Sequence, residues 1–316
     1  MQRSDGITPR PTQNGYEPDR LALGVCILIA SVFAMAFADA IIKWLSAYVT
    51  VWQVFVIRAS FSLPCIWFIA QRRGVSLAPD SIATVTLRSV LLVAAWLTYY
   101  AALPLLDLSV AAVVVYTNPI IIVLLSSHVL RSRVTAVQWL GAALGFAGTA
   151  VIVQPGGAGF SWAVLLPLSC AALYACAMVL TRAKCRTEQP ESMAMVLNVT
   201  FIVTGLVASL ILPVLPIGPE LRASQPFTLG AWQQMSPWLW AILAGLGLLS
   251  TGYFLGVARA YQIAPPQILA TCDYSYLIFA VLWGMVLFSE RPHLTTYLGM
   301  AMITVAGIMV AVSRRP

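Results

Sequence analysis

The sequence predicts an all-α polytopic membrane protein: ten transmembrane helices arranged as two inverted five-helix repeats. Three observations predict it. Sixty per cent of the 316 residues are apolar and only 9% are charged, against about a quarter charged in soluble globular chains. The apolar residues gather into ten runs of the length a bilayer needs, about 20 residues for a hydrocarbon core of about 30 Å. The second half also echoes the first. Sliding Tyr99–Gly141 forward by 158 positions puts Ala102, Ala112, Tyr116, Ile120, Val123, Leu124, Arg133, Leu140 and Gly141 on Ala260, Ala270, Tyr274, Ile278, Val281, Leu282, Arg291, Leu298 and Gly299. These nine matches in 43 positions exceed the roughly three or four that so biased a composition gives by chance.

The elements follow in order. Residues 1–20 are polar and rich in proline, glycine and charge, the composition of a short disordered tail. The apolar run after them is too long for a signal-peptide h-region and lacks a small-residue cleavage site. The expected spans are Leu21–Leu45, Val51–Ala70, Ile82–Leu105, Leu108–Leu130 and Val134–Val153, then Trp162–Arg182, Met193–Leu215, Trp238–Tyr261, Gln267–Phe288 and Thr295–Val312. Residues 21–153 thus form the first repeat, 154–161 a connector, 162–312 the second repeat and 313–316 a closing tail. The third and fourth spans are parted only by a turn around Pro104 and Asp107, but together they exceed 45 residues, too many for one crossing. The longest connection, Pro216 to Pro237, carries Pro216, Pro219, Pro226 and Pro237, which disfavour a regular element. It reads as a plain linker rather than a gating lid.

Charge sets the topology. With the N-terminus in the cytoplasm, 13 of the 18 basic residues fall in inner segments, three in outer ones, and two, Arg58 and Arg88, within spans. The positive-inside rule therefore expects both termini in the cytoplasm and a multi-pass protein of the inner membrane. The net charge of +7 is accounted for by topology and needs no nucleic acid. Five spans per half, an odd number, force the second half to enter the membrane upside down. That arrangement is a known route to alternating access, with the substrate site near the midplane. The six cysteines show neither a disulfide framework nor metal-ligand spacing, and no cofactor is expected.

Specific motifs sharpen this reading. They are Arg58 inside the second span, YTNPIII at 116–122, QWLGAALGFAG at 138–148, CDYSYLIFAVLWGMVLFSERP at 272–292 and the connector VIVQPGGAGFSWAVLLPL at 151–168. With these motifs residues 21–312 resemble the drug/metabolite transporter superfamily in its bacterial EamA-type branch. The resemblance implies a ten-helix transporter of small organic metabolites such as amino acids, nucleosides, vitamins or cofactors. One departure stands out: the acid that in the family closes the fourth span is Glu290 in the second half, but Ser132 occupies that place in the first.

Intramembrane ionisable groups are costly and mark pathways. Arg58 and Arg88 each lie about 10 Å into their spans, at about 1.5 Å per residue, and either can offer a bidentate grip on a carboxylate or phosphate. Snorkelling or a role in packing is the alternative. Asp273, beside Tyr274, suits proton coupling or recognition of a cationic group; a structural salt bridge across the halves explains it equally well. Asp39 and Lys43, four residues apart, read as a solvated pair at the outer end of the first span. Tyr116, Thr117, Asn118 and Pro119 interrupt the fourth span, and freed carbonyls are tolerated there only beside protein or a water-lined cavity. The counterpart with Tyr274 lacks proline, so a one-sided kink is expected. Trp96, Tyr99, Tyr100, Tyr174, Asn198 and Tyr253 can line the same cavity or sit as interfacial aromatics. The glycines of the fifth and tenth spans suit helix packing or a homodimer contact.

The function expected is a secondary transporter of a small anionic, zwitterionic or aromatic metabolite. A histidine-based enzyme is disfavoured because the two histidines, His128 and His293, fall at opposite ends of the topology. No charge ring or carbonyl-filter motif supports a channel, and no phosphate-binding loop supports ATP-driven transport. A channel-like pore or a non-transporting receptor is the alternative class.

Overall fold

The computed structural model describes residues 18–129, 135–154, 161–185, 187–263, 269 and 272–312. The turn at 131–133, with Ser132, and both chain ends lie outside them. All elements among the described residues are helical: α1 Pro18–Leu45, α2 Val51–Arg73, α3 Ile82–Ala102, α4 Leu108–Val115, α5 Asn118–Val129 and α6 Ala136–Val153. After a single 3-10 turn at Trp162–Val164 come α7 Leu165–Lys184, α8 Pro190–Ile211, α9 Pro219–Ser224, α10 Pro226–Leu229, α11 Pro237–Ile263, α12 Ser275–Phe288 and α13 Leu294–Val312.

By length and composition six described segments can each cross a membrane: Leu21–Leu45, Val51–Arg73, Ile82–Ala102, Trp162–Thr181, Pro190–Ile211 and Pro237–Val257. Four further apolar helices are shorter: Leu108–Ile122, Trp139–Val153, Ser275–Phe288 and Leu294–Met309. Two of the shorter ones belong to spans broken in the middle. The expected break at Tyr116 and Thr117 parts α4 from α5, and Thr117 Oγ1 donates to the Val114 carbonyl at 2.7 Å. The second-half counterpart is interrupted as well, at Tyr274, where the helix of residues 272–273 turns before α12 begins. The expectation of a one-sided kink is therefore corrected: the break does not depend on proline.

Local chemistry sets the element ends. At the start of α2, Thr50 Oγ1 accepts from the Gln53 N–H at 3.4 Å while Gln53 Oε1 accepts from the Thr50 N–H at 3.0 Å, a reciprocal capping box. The 216–237 connection departs from the plain linker expected. Pro219 and Pro226 each open a short helix and Pro237 opens α11, because proline at the first helical position gives up an N–H that has no partner there anyway. The segment is docked: Phe227 is buried, Trp52 Nε1 donates to the Thr228 carbonyl at 2.8 Å, and Gln53 Nε2 donates to the Gln233 carbonyl at 2.8 Å.

The helices pack as α1 on α11 and α12, α2 on α8 and α11, α3 on α7 and α8, α4 on α12 and α7, α5 on α7, and α6 on α13. The α6–α13 contact uses small residues inside the chain itself. A methyl group added at Gly299 would lie 2.6 Å from the Gly148 carbonyl, and one at Gly148 would lie 3.0 Å from the Gly299 carbonyl. Only glycine lets the two backbones approach this closely. The central core joins α1, α2, α3, α4, α11 and α12 through residues such as Leu28, Ile42, Phe55, Tyr100, Leu243 and Leu277, all buried.

Candidate functional site

A cavity of about 710 Å³ lies inside this core, within the range of small-molecule sites, about 300–1,000 Å³. It opens toward one end of the bundle. From α2 it is lined by Arg58, Ser62, Ile66, Ile69 and Arg73, a single helical face running from mid-helix to the last residue, while residues 51–57 take no part. From α8 it is lined by Pro190 and Glu191 at the start and by nothing beyond Phe201. The cavity therefore reaches from the middle of the bundle to the end where α2 stops and α8 begins.

The opposite end is sealed by charge. Lys43 Nζ donates to Glu290 Oε1 at 2.5 Å and to the Leu106 carbonyl at 2.6 Å. Both oxygens of Glu290 accept the Leu108 N–H, at 2.9 and 3.0 Å, so a carboxylate from beyond α12 caps the positive N-terminus of α4. At the cavity mouth Arg73 pairs with Glu191 at 2.7 Å, with the arginine half exposed. Glu188 accepts the N–H groups of Asp80 and Ser81 at 2.9 and 2.8 Å ahead of α3.

Of the nine side chains expected at a site, Arg58, Arg88, Trp96, Tyr116, Asn118, Asn198, Asp273 and Tyr274 line the cavity. Tyr253 does not. It is buried in the core, while Ser250, Thr251, Phe254 and Leu255 supply the wall from α11. Arg58 Nη1 donates to Tyr100 Oη at 2.6 Å, and its guanidinium lies over the rings of Tyr100 and Phe201. Arg88 Nε donates to Thr181 Oγ1 at 2.7 Å, and Asn198 Nδ2 donates to the Ala194 carbonyl at 2.9 Å. Neither arginine has a carboxylate at ion-pair distance among the described residues.

The two broken spans meet through their tyrosines. Tyr116 stacks on Tyr276 with ring centroids 5.1 Å apart and planes inclined by 15°, and meets Tyr274 edge-on at 5.6 Å. Tyr116 Oη donates to the Asp273 carbonyl at 3.3 Å. Tyr274 in turn lies against Gly307 of α13, where any added methyl would overlap the phenol ring. Each interruption thus presents an aromatic face and a polar edge to the same space. Trp96 adds a further ring, 6.0 Å from Tyr99 and 5.4 Å from Tyr100.

Sequence reasoning misplaced Asp39. It is not a solvated partner of Lys43, which turns to Glu290. Asp39 is buried at 2% exposure, lines the cavity, and accepts a 2.5 Å hydrogen bond from Tyr276 Oη. Tyr276 Oη also lies 3.0 Å from Tyr99 Oη. The available signal was the run of small residues Ala36, Ala38 and Ala40 around it, all buried, which marks a face pressed against other helices rather than a helix end in water.

Long apolar helices enclosing a one-ended cavity with a few polar groups are those of a multi-pass membrane protein. Residues 22–154 match the EamA-like transporter family. The chain is 28% identical to a riboflavin transporter of Rhizobium johnstonii, over 95% of this chain and 94% of the relative. It is 22% identical to the pseudopaline exporter CntI of Pseudomonas aeruginosa, over 94% of this chain and 99% of the relative. A solved crystal structure shares the fold, with a TM-score of 0.62 at 20% identity over 94% of this chain and 98% of that one. The riboflavin transporter and the pseudopaline exporter are transporters, not enzymes.

Proposed function

We propose that this protein is a secondary transporter that carries a small organic metabolite across the cytoplasmic membrane by alternating access, with a riboflavin-like compound as its substrate. The observation that carries the mechanism is the one-ended cavity: open past Arg73 and Glu191, closed by Lys43 and Glu290. With the charge bias of the sequence fixing orientation, both termini are cytoplasmic and the open end faces the cytoplasm.

The packing supports two five-helix repeats at 21–153 and 162–312. Exchange each helix of the first half with its counterpart in the second, α1 with α7, α2 with α8, α3 with α11, the α4–α5 pair with α12, and α6 with α13. The pairings α1–α11 and α3–α7 then interchange, as do α2–α11 and α3–α8, while α2–α8 and α6–α13 map onto themselves. A molecule with this pseudo-symmetry has a second state in which the halves trade conformations, so that the sealed end opens and the open end seals.

The substrate class follows from the lining. Stacked tyrosines and Trp96 accept a planar ring, and Arg58, Arg88, Asn118, Asn198 and Asp273 offer donors and acceptors to its polar edges. The relatives named for riboflavin transport add weight to that class. The test is flux of radiolabelled riboflavin into proteoliposomes holding the purified protein, against empty liposomes. Saturable flux that unlabelled riboflavin competes supports the reading. Non-saturating flux favours a channel-like pore, and binding without flux favours a receptor.

A further inference from the structure

We propose that Asp39 takes up and releases a proton during each cycle and so couples transport to the proton gradient. The inference rests on the transporter reading above. Asp39 lies six residues before the end of the 28-residue helix α1, about 9 Å along its axis, with its carboxylate on the cavity wall. The groups facing it are Tyr276 from α12, Tyr99 and Tyr100 from α3, Arg58 from α2, Tyr253 from α11 and Cys170 from α7. Arg58 is the single cation in this set, and it makes no ion pair with Asp39; its short hydrogen bond goes to Tyr100.

An ionised carboxylate held in an apolar span without a paired cation is costly, and the cost is removed by a proton or by a cationic ligand. Exposure decides between the two. At 2% exposure, with one oxygen already bonded to Tyr276, Asp39 has room for a proton and none for an ammonium group with its own shell of partners. The proton arrives along the cavity from the Arg73 end and adds to a carboxylate oxygen, giving a neutral acid. No other bond is made or broken.

The helix pair that Asp39 joins is also the pair that closes the far end. On α1, Asp39 and Lys43 are one turn apart; on α12, Tyr276 sits near the start, with Glu290 just past the end. Two contacts therefore tie α1 to the α12 segment, Asp39 to Tyr276 and Lys43 to Glu290. Protonation removes the charge that draws the Tyr276 hydroxyl, loosening one of the two ties beside the seal.

The test uses the full chain in proteoliposomes on a solid-supported membrane, with pH steps and no substrate. Wild type is expected to give a transient charge displacement, and Asp39→Asn at least tenfold less. Tyr276→Phe, which keeps the carboxylate and removes its donor, is expected to displace comparable charge with a shifted midpoint pH, an effect that loss of folding does not produce. A displacement absent from wild type, surviving in Asp39→Asn, or lost instead in Asp273→Asn overturns the proposal. Because no substrate is present, failure of the riboflavin assay with the displacement intact would sink the substrate reading and leave the proton site standing.

Discussion

Lys43 and Glu290 are 247 positions apart in the chain and 2.5 Å apart in space. Their bond ties the end of α1 to the residue just beyond α12, and the same carboxylate holds the first N–H of α4. Three helices are thus fastened at the end of the bundle where the cavity does not emerge.

Removing one partner of a buried ion pair leaves the other uncompensated and costs about 3–5 kcal/mol. Glu290→Ala is therefore expected to lower the thermal unfolding temperature of the purified protein markedly. The double variant Lys43→Met with Glu290→Ala should cost clearly less than the sum of the single variants. Additivity within about 0.5 kcal/mol would show that the two residues act independently.

Arg58→Ala and Asp273→Asn are each expected to abolish transport, by tenfold or more, while the protein still reaches the membrane. Membrane abundance and initial flux, measured on the same preparations, check this. Normal kinetics in both variants would remove these residues from the site.

Gly307→Ala should displace the Tyr274 phenol, because the two occupy the same space, and overpacking of this kind typically costs about 1–3 kcal/mol. Lower stability and weaker flux are expected, with stability recovered when Tyr274→Ala is added. If the second substitution rescues nothing, the clash is not the cause.

In a background without cysteines, a single cysteine at Ala231 should react with an impermeant thiol reagent in intact cells. One at Ile69, on the cavity wall near its mouth, should react only in inverted vesicles. Reversed labelling would turn the orientation over, and equal labelling at Ile69 from both sides would contradict a cavity closed at one end.

Much of the site was legible because membrane burial makes polarity conspicuous. In an apolar span an arginine, an asparagine or a carboxylate stands out, and Arg58, Arg88, Asn198 and Asp273 all reach the cavity. The Tyr116–Thr117 break was legible for the same reason. Asp39 was not, since an aspartate four residues from a lysine carries its own local explanation, and only the long-range bond to Tyr276 displaces it. Tyr253 erred the other way: a tyrosine in a span faces cavity, core or lipid with one composition for all three. The docked 216–237 connection was missed because its prolines read as breakers, whereas at first helical positions they are starters.

What the sequence determined by itself was the class of molecule: apolar helices, several of bilayer length, a bias in where the basic residues fall, and an echo between the halves. These follow from hydropathy, charge counting and period, all of which are local or additive along the chain. The tertiary structure decided which end of the cavity is open, that Lys43 belongs to Glu290 rather than to Asp39, and that Tyr276 is the partner of Asp39. Each of those depends on residues more than 100 positions apart, and a pairing at that range is set by how helices pack, which no local pattern records.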